Sequence, residues 1–282
     1  MTIRLICLDL DGTTLRRDGT VSARTVAALR RAMASGATVA IATGRIFGSA
    51  AIFGRQLCIN GPVIASNGAI VRDLRGAILY HRPMPRSILA EASAAAPSTS
   101  IQMDLFGVND VFAADVVKKR REMLRYRLKN ARTWAGLKMF FKYLGCYRIR
   151  PLSQAAEVDK VFLGGHDMRE LQRVADVLCS AVGEPLAVCS SGADNLELTA
   201  PGVSKGSAVT WLADRLGLTL SEVMVVGDSL NDLSMFELDC FKVAMANAET
   251  EILDRASFVT ASHQEDGVAK AVERFVLGEA RV

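Results

Sequence analysis

Short apolar runs, each stopped by a polar residue or a glycine, recur in the first and last thirds of the chain with helical stretches between them. IRLICL (3–8) is too short for a helix and stops at Asp9, so it reads as a buried strand. From about Ser22 to Ser35, Val26, Leu29 and Met33 keep helical spacing, and Gly36 supplies the stop. ATVAIATG (37–44) reads as a second buried strand ending at Thr43-Gly44. PVIASNGAIV (62–71) is a third strand-like segment, broken at Asn67-Gly68. The rhythm returns late in the chain: a helix over 206–217, a strand at EVMVVGD (222–228) and a helix over 232–239. Strand and turn at FKVAMANA (241–248), a short helix over 249–256 and a last helix over 267–277 complete it. This alternation predicts a parallel sheet with helices on both faces.

The middle of the chain follows another pattern. SIQMDLFGVNDVFAAD (100–115) has the alternation of two strands around a Gly-Val-Asn-Asp turn, a hairpin signal. Residues 116–132 form a basic helix, with Val117, Leu124, Leu128 and Ala131 as its expected inner face. KVFLGG (160–165) reads as a strand and RELQRVADVLCSAV (169–182) as a helix. Hairpins mixed with helices mark an α+β insert, placed at 84–188. The flanks, 1–83 and 189–282, are expected to fold together as one core.

Composition narrows the class without naming it. Over 282 residues, 50% are hydrophobic and 23% charged, which excludes a disordered chain, a fibrous repeat and a small disulfide scaffold. The net charge of +4 is too mild for a general nucleic-acid binder, but its placement is uneven. The insert carries 16 Lys/Arg against 11 Asp/Glu, and the remainder 18 against 19, a bias that favours anionic ligands. Lys118, Lys119, Arg120, Arg121, Arg125, Arg127, Lys129 and Arg132 crowd one helix against Glu122. A nucleic-acid surface is the competing reading of that run. A solvated helix is favoured, because no RNA-binding signature accompanies it. The six cysteines form no CxxC pair and mostly sit in apolar runs, so free buried thiols in a reducing compartment are expected. The N-terminal MTIRLICLDLDGT is neither a signal peptide nor a membrane span, and a soluble, cytoplasmic protein follows as the expectation. Oligomeric state is not readable.

Four segments carry candidate chemistry, each at the end of an expected core strand or the start of the helix that follows, where open α/β sheets bind ligands. Asp9-Leu10-Asp11-Gly12-Thr13 places two carboxylates one residue apart beside a turn glycine. Taken alone it is equally a solvated turn. Thr43-Gly44-Arg45 offers a hydroxyl and free N–H groups to an anion, or is a plain helix cap. Lys205, in Ser204-Lys205-Gly206, is either a phosphate-neutralising cation or a surface charge. Gly227-Asp228-Ser229-Leu230-Asn231-Asp232 crowds two further acids at a strand end, which favours a hard cation such as Mg²⁺ over zinc. His81, His166 and His263 lie outside these segments and read as surface or core residues; packing roles are expected for Trp134, Trp211 and the Met139, Phe140, Phe141, Tyr143 cluster.

In that order and at those positions, DLDGT, TGR, SKG and GDSLND resemble the motifs of the haloacid-dehalogenase-like hydrolases, and SNGA (66–69), LELTAPGVSKG (196–206), MANA (245–248) and EDGVAKA (265–271) resemble their Cof-type branch. The resemblance implies a Rossmann-like, doubly wound parallel core carrying an α/β cap of the IIB kind. It implies a Mg²⁺-dependent phosphatase acting on a small phosphorylated metabolite, such as a sugar phosphate, nucleotide or cofactor phosphate. Asp9 would be the nucleophile that forms an aspartyl-phosphate, and Asp11 the acid and then the base. The metal would take the Asp9 side chain, the Asp11 carbonyl and the Asp228 side chain, with Asp232 behind them. Thr43, Gly44, Lys205 and Asn231 would bind the phosphoryl oxygens, and Arg45 and Asn67 would touch substrate. An acid at 11 suits phosphatases and phosphomutases alike, so a mutase of the same fold is the alternative.

Overall fold

The run LICL becomes β1 (Leu5–Leu8), at the centre of the larger of two sheets in this computed structural model, which describes residues 2–95, 101–130, 145–183 and 185–279. All four β1 side chains are buried. Ile6 and Leu8 enter one apolar cluster and Leu5 and Cys7 the other, because successive strand residues point to opposite faces. The chain continues through α1 (Ala23–Ala34), β2 (Thr38–Ala42), α2 (Phe47–Leu57), β3 (Val63–Ala65), β4 (Ile70–Arg72) and β5 (Ile78–His81). Ser22 caps α1 by accepting from the Thr25 N–H.

The second unit contains α3 (Ser87–Ala95), β6 (Gln102–Phe106), β7 (Asp110–Ala113), α4 (Val116–Asn130), β8 (Arg148–Pro151), β9 (Lys160–Gly164), α5 (Met168–Val182), β10 (Ala187–Cys189) and β11 (Asn195–Thr199). Its sheet runs β10-β11-β9-β6-β7-β8, antiparallel except where β8 joins β7. The chain then returns to the larger sheet through α6 (Lys205–Arg215), β12 (Val223–Gly227), α7 (Leu233–Phe236), β13 (Phe241–Ala244), α8 (Thr250–Leu253), β14 (Phe258–Val259) and α9 (Gly267–Phe275).

The larger sheet runs β14-β13-β12-β1-β2-β3-β4-β5. Its first six strands are parallel, and β4 and β5 turn back antiparallel. Helices α1, α2 and α9 cover one face, and α6, α7 and α8 the other. This is the doubly wound α/β core with an inserted cap. Chain order reverses at β1, whose neighbours are β2 and β12, so the strand ends leave a crevice there. Leu8 lies beside both Ile41 and Val226, which brings the residues after each strand to one edge.

Three expectations need correction. The core was expected to resume at 189, but β10 and β11 belong to the second sheet, which extends through Thr199. All five β11 side chains are buried, so by pattern alone it reads like a core strand; only its pairing with β9 reveals its sheet. In α4, Val117, Leu124 and Leu128 are exposed instead of facing inward. Half-buried Val116, Lys119 and Met123 lie on the opposite side of the helix, and Lys119 is drawn toward the sheet by an ion pair with buried Asp104. Ala131 lies outside the described residues, as do Arg132, Trp134, Met139, Phe140, Phe141 and Tyr143. All six cysteines are free, but only Cys7 is buried, and Cys58 is exposed. Trp211 packs against Tyr80, with ring centroids 5.1 Å apart. Among the described residues no helix is long and apolar enough to cross a membrane.

Candidate active site

Three parallel strand ends and one helix start build the site. Asp9 follows β1, and its N–H is fixed to the Val226 carbonyl at 3.0 Å. Its side chain is buried, and Oδ1 accepts from Lys205 Nζ at 2.8 Å. Lys205 opens α6, where Ser204 caps the helix reciprocally with Ser207 and the Gly206 N–H bonds Ser234 Oγ at 3.0 Å. Fully buried, its ammonium also donates to Asn231 Oδ1 at 3.0 Å and Asp232 Oδ1 at 2.7 Å. An ammonium has three protons, and all three are used. Asp232 is equally committed, because Oδ2 accepts from the N–H groups of Asp228 and Ser229 at 2.9 and 3.2 Å.

Asp228 follows β12 and faces Asp9. Thr13 Oγ1 donates to its Oδ1 at 2.6 Å, and Asn247 Nδ2 approaches Oδ2 at 3.5 Å while bonding the Gly12 carbonyl at 2.9 Å. Gly12 has φ +76°, and a Cβ there would lie 2.1 Å from Asp228 Oδ2, so both the turn and the closeness require glycine. Burial and the neighbouring Asp232 charge push the Asp228 carboxyl up to about 7. Asp9 also stands well above the ordinary carboxylate range: burial and the Asp232, Asp228 and Asp11 charges outweigh the Lys205 cation. Oxygens of Asp9, Asp228 and Asp232 lie within 4.8 Å of one another, a hard donor set able to hold a metal ion.

The other expected residues divide. Arg45 pairs with Asp11 through Nε at 2.6 Å and a second bond from Nη2. The protein around the cleft opposes charge on Asp11, but its side chain is 58% exposed, and the Arg45 charge and hydrogen bonds prevail and hold its carboxyl below the usual range. The Asp11 side chain is thus turned to Arg45 and not into the acid triad. Thr43 is buried, with Oγ1 accepting the Arg45 N–H at 3.2 Å. Asn231 Nδ2 lies 3.3 Å from where a Cβ on Gly44 would stand, so it points at the Gly44 backbone. Asn67 has a left-handed backbone. Held at φ 54° after Ser66 at φ 49°, it reaches across to the second sheet, donating to Glu197 Oε2 and, at 3.3 Å, to Cys189 Sγ.

Asp9, Asp11, Gly12, Thr43, Gly44, Arg45, Asp228, Ser229 and Asn231 line a cleft of about 490 Å³, roofed by Phe106, Lys160, Phe162, Ser191 and Glu197 of the second unit. The sequence reading missed these roof residues, along with the contacts of Thr13 and Asn247. The signal was alternation: in NLELT the polar Asn195, Glu197 and Thr199 share one face opposite Leu196 and Leu198, and Lys160 opens KVFLG on the matching face of its strand. At formal charge, Asp9, Asp11, Asp228, Asp232 and Glu197 face Lys205, Arg45 and Lys160. The excess of two negative charges fits a divalent cation.

Fold and site together set a cluster of carboxylates at the switch point of a parallel sheet, beneath an inserted cap. The chain belongs to the haloacid dehalogenase-like hydrolase family, whose model matches residues 6–272, and it is a phosphatase of the Cof type in that superfamily. It is 30% identical over 292 residues to a Bacillus subtilis 5-amino-6-(5-phospho-D-ribitylamino)uracil phosphatase, YwtE, covering 98% of this chain and 99% of the relative. It is likewise 30% identical over 251 residues to an HMP-PP phosphatase of Citrobacter koseri, with 89% and 86% covered. Among solved structures it resembles a haloacid dehalogenase-like hydrolase from B. subtilis, with a TM-score of 0.81 at 27% identity and 96% and 99% coverage. A subclass IIB sugar phosphatase shares the fold, with a TM-score of 0.74 at 21% identity and 96% and 98% coverage.

Proposed function

We propose that this phosphatase hydrolyses a small phosphate monoester in two steps, with Asp9 as nucleophile and Asp11 as acid and base. The supporting observation is the grouping of Asp9, Asp228 and Asp232 at the ends of β1 and β12, with one fully buried lysine bonded to Asp9 and Asp232. Asp9 and Asp228 would hold Mg²⁺ directly, with Asp232 orienting Lys205 and the Asp228 loop. When bound, the ion neutralises charge between the dianionic ester and the approaching carboxylate.

Asp9 attacks phosphorus with the oxygen not held by Lys205. The bond to the leaving oxygen breaks, and Asp11 gives that oxygen its proton. Water then attacks the aspartyl-phosphate, Asp11 takes its proton, and Asp9 leaves phosphorus as a carboxylate. The Arg45 pair holds Asp11 in the ionised form that the second step needs, so the first step requires Asp11 to part from Arg45. The Thr43 hydroxyl, the Gly44 N–H and Asn231 Nδ2 surround the position for the phosphoryl oxygens, and Lys205 acts on them through its charge.

Phosphorylated metabolites, including a phosphoribityl-amino-uracil, incubated with Mg²⁺ and scored for orthophosphate test the proposal. Release is expected to fall at least about 10³-fold in Asp9→Asn and to stop in EDTA. Activity surviving both treatments refutes the mechanism. Interconversion of sugar-phosphate isomers without orthophosphate release assigns the mutase reading instead.

A further inference from the structure

The second sheet has one apolar and one polar face. Met103, Leu105, Val161, Leu163, Leu196 and Leu198 pack under α3 and α5. The alternate residues Phe106, Lys160, Phe162 and Glu197 therefore face the cleft over Asp9. A polar sheet face ordinarily meets water. Here Lys160 and Glu197 are almost fully enclosed, with side chains 3% and 6% exposed.

Their bonding accounts for the enclosure. Lys160 Nζ donates to the Gly44 carbonyl at 2.7 Å and to Glu197 Oε2 at 2.8 Å, and lies 4.7 Å from the centroid of the Phe106 ring. Ser191 Oγ donates to Glu197 Oε1 at 2.9 Å, and Asn67 to Oε2. Two of the three ammonium protons are bonded, Nζ lies over the Phe106 ring, and the lysine's charge is already matched by Glu197. The carboxylate, an acceptor only, retains lone-pair capacity on Oε1 in the cleft that Phe106 and Phe162 also line.

We propose that Glu197, with Lys160 as its counter-charge, sets specificity for esters whose leaving group is uncharged and rich in hydrogen-bond donors, and rejects leaving groups that carry a second anion. This rests on the phosphatase reading above. A donor-rich polyol or amino-substituted ring satisfies Glu197 and packs on Phe106 and Phe162. A carboxylate or second phosphate in the same place meets Glu197 and finds Lys160 already neutralised.

The test compares kcat/KM for ribitol 5-phosphate with that for phosphoglycolate, taking p-nitrophenyl phosphate as a substrate with neither feature. Wild type is expected to prefer ribitol 5-phosphate by about tenfold or more. Glu197→Gln frees the lysine and lowers that preference about tenfold, whereas Lys160→Met leaves an uncompensated carboxylate and raises it. The double variant, neutral like wild type, returns the preference toward the wild-type value. If Glu197→Gln does not melt cooperatively, Lys160→Met alone decides: its preference must rise. A preference unchanged within about twofold in the single variants, or shifted in the same direction by both, overturns the proposal, because a purely structural role would affect the two esters alike. If wild type releases phosphate from none of the three esters, the phosphatase reading falls, and this inference with it.

Discussion

Lys205→Met removes a charge while keeping most of the side-chain volume, so it separates electrostatics from packing. The ammonium is fully buried and held by Asp9, Asn231 and Asp232 at 2.7–3.0 Å. Breaking a buried ion pair from one side costs about 3–5 kcal/mol, because the partner charge is left uncompensated. For a chain of this size, about 2 °C of melting temperature is lost per kcal/mol, so the variant should melt about 6–10 °C lower in EDTA at pH 8. The deficit must also depend on pH. Without the cation Asp9, already raised by burial and by its acidic neighbours, rises further. A carboxyl raised on folding contributes stability below its unfolded pKa and loses it as pH climbs through the folded value. The deficit should therefore grow from pH 5 to pH 8, and Mg²⁺ should narrow it. Thermal unfolding followed by circular dichroism, in EDTA at several pH values, measures both effects. A deficit equal at pH 5 and pH 8, or under about 1 kcal/mol at pH 8, refutes the claim that Lys205 balances charge.

Three further outcomes follow from the same geometry. Because Asp228 is pushed up to about 7 by burial and Asp232, and Asp9 is raised as well, Mg²⁺ must displace protons at lower pH; calorimetric Mg²⁺ affinity should rise from pH 6 to pH 8, and equal affinity at the two would contradict this. Gly12→Ala forces a side chain onto a φ of +76° and against Asp228 Oδ2, so it should lose about 1–2 kcal/mol of stability and at least about 100-fold in kcat/KM; near-normal turnover would show that Asp228 does not depend on that closeness. Arg45→Ala removes the partner that holds Asp11 ionised, so the pH profile of kcat should move to higher pH; an unmoved profile would mean that Asp11 does not titrate in the rate-limiting step.

The core and its chemistry were legible because the information is local. A short apolar run that stops at a polar residue marks both a buried strand and its C-terminal edge, and parallel packing of β1, β2 and β12 then brings Asp9, Thr43 and Asp228 together without further instruction. Lys205 was recognisable as a candidate cation. Its three-acceptor cage was not, because that depends on α6 starting against the loop that holds Asn231 and Asp232. Asn67 was singled out from its motif alone; that two successive left-handed residues bond it to Glu197, 130 positions away in sequence, was not legible there.

The cap resisted reading for a physical reason that Glu197 makes plain. An enclosed charge is costly unless paired, so once the cleft buries them Glu197 in NLELT requires a cation and Lys160 in KVFLG an anion. That each answers the other follows from the antiparallel register of β11 on β9, which sets Glu197 beside Phe162 and Thr199 beside Lys160 and so puts both charges on the cleft face. Neither segment encodes that register by itself, and a shift of β11 by one residue would turn Leu196 and Leu198 toward the cleft and Glu197 into the apolar layer under α5, leaving Lys160 without its partner. The hydrophobic demand of that layer therefore selects the charged face above Asp9, and the cap's contribution to the cleft becomes readable only once its core is known.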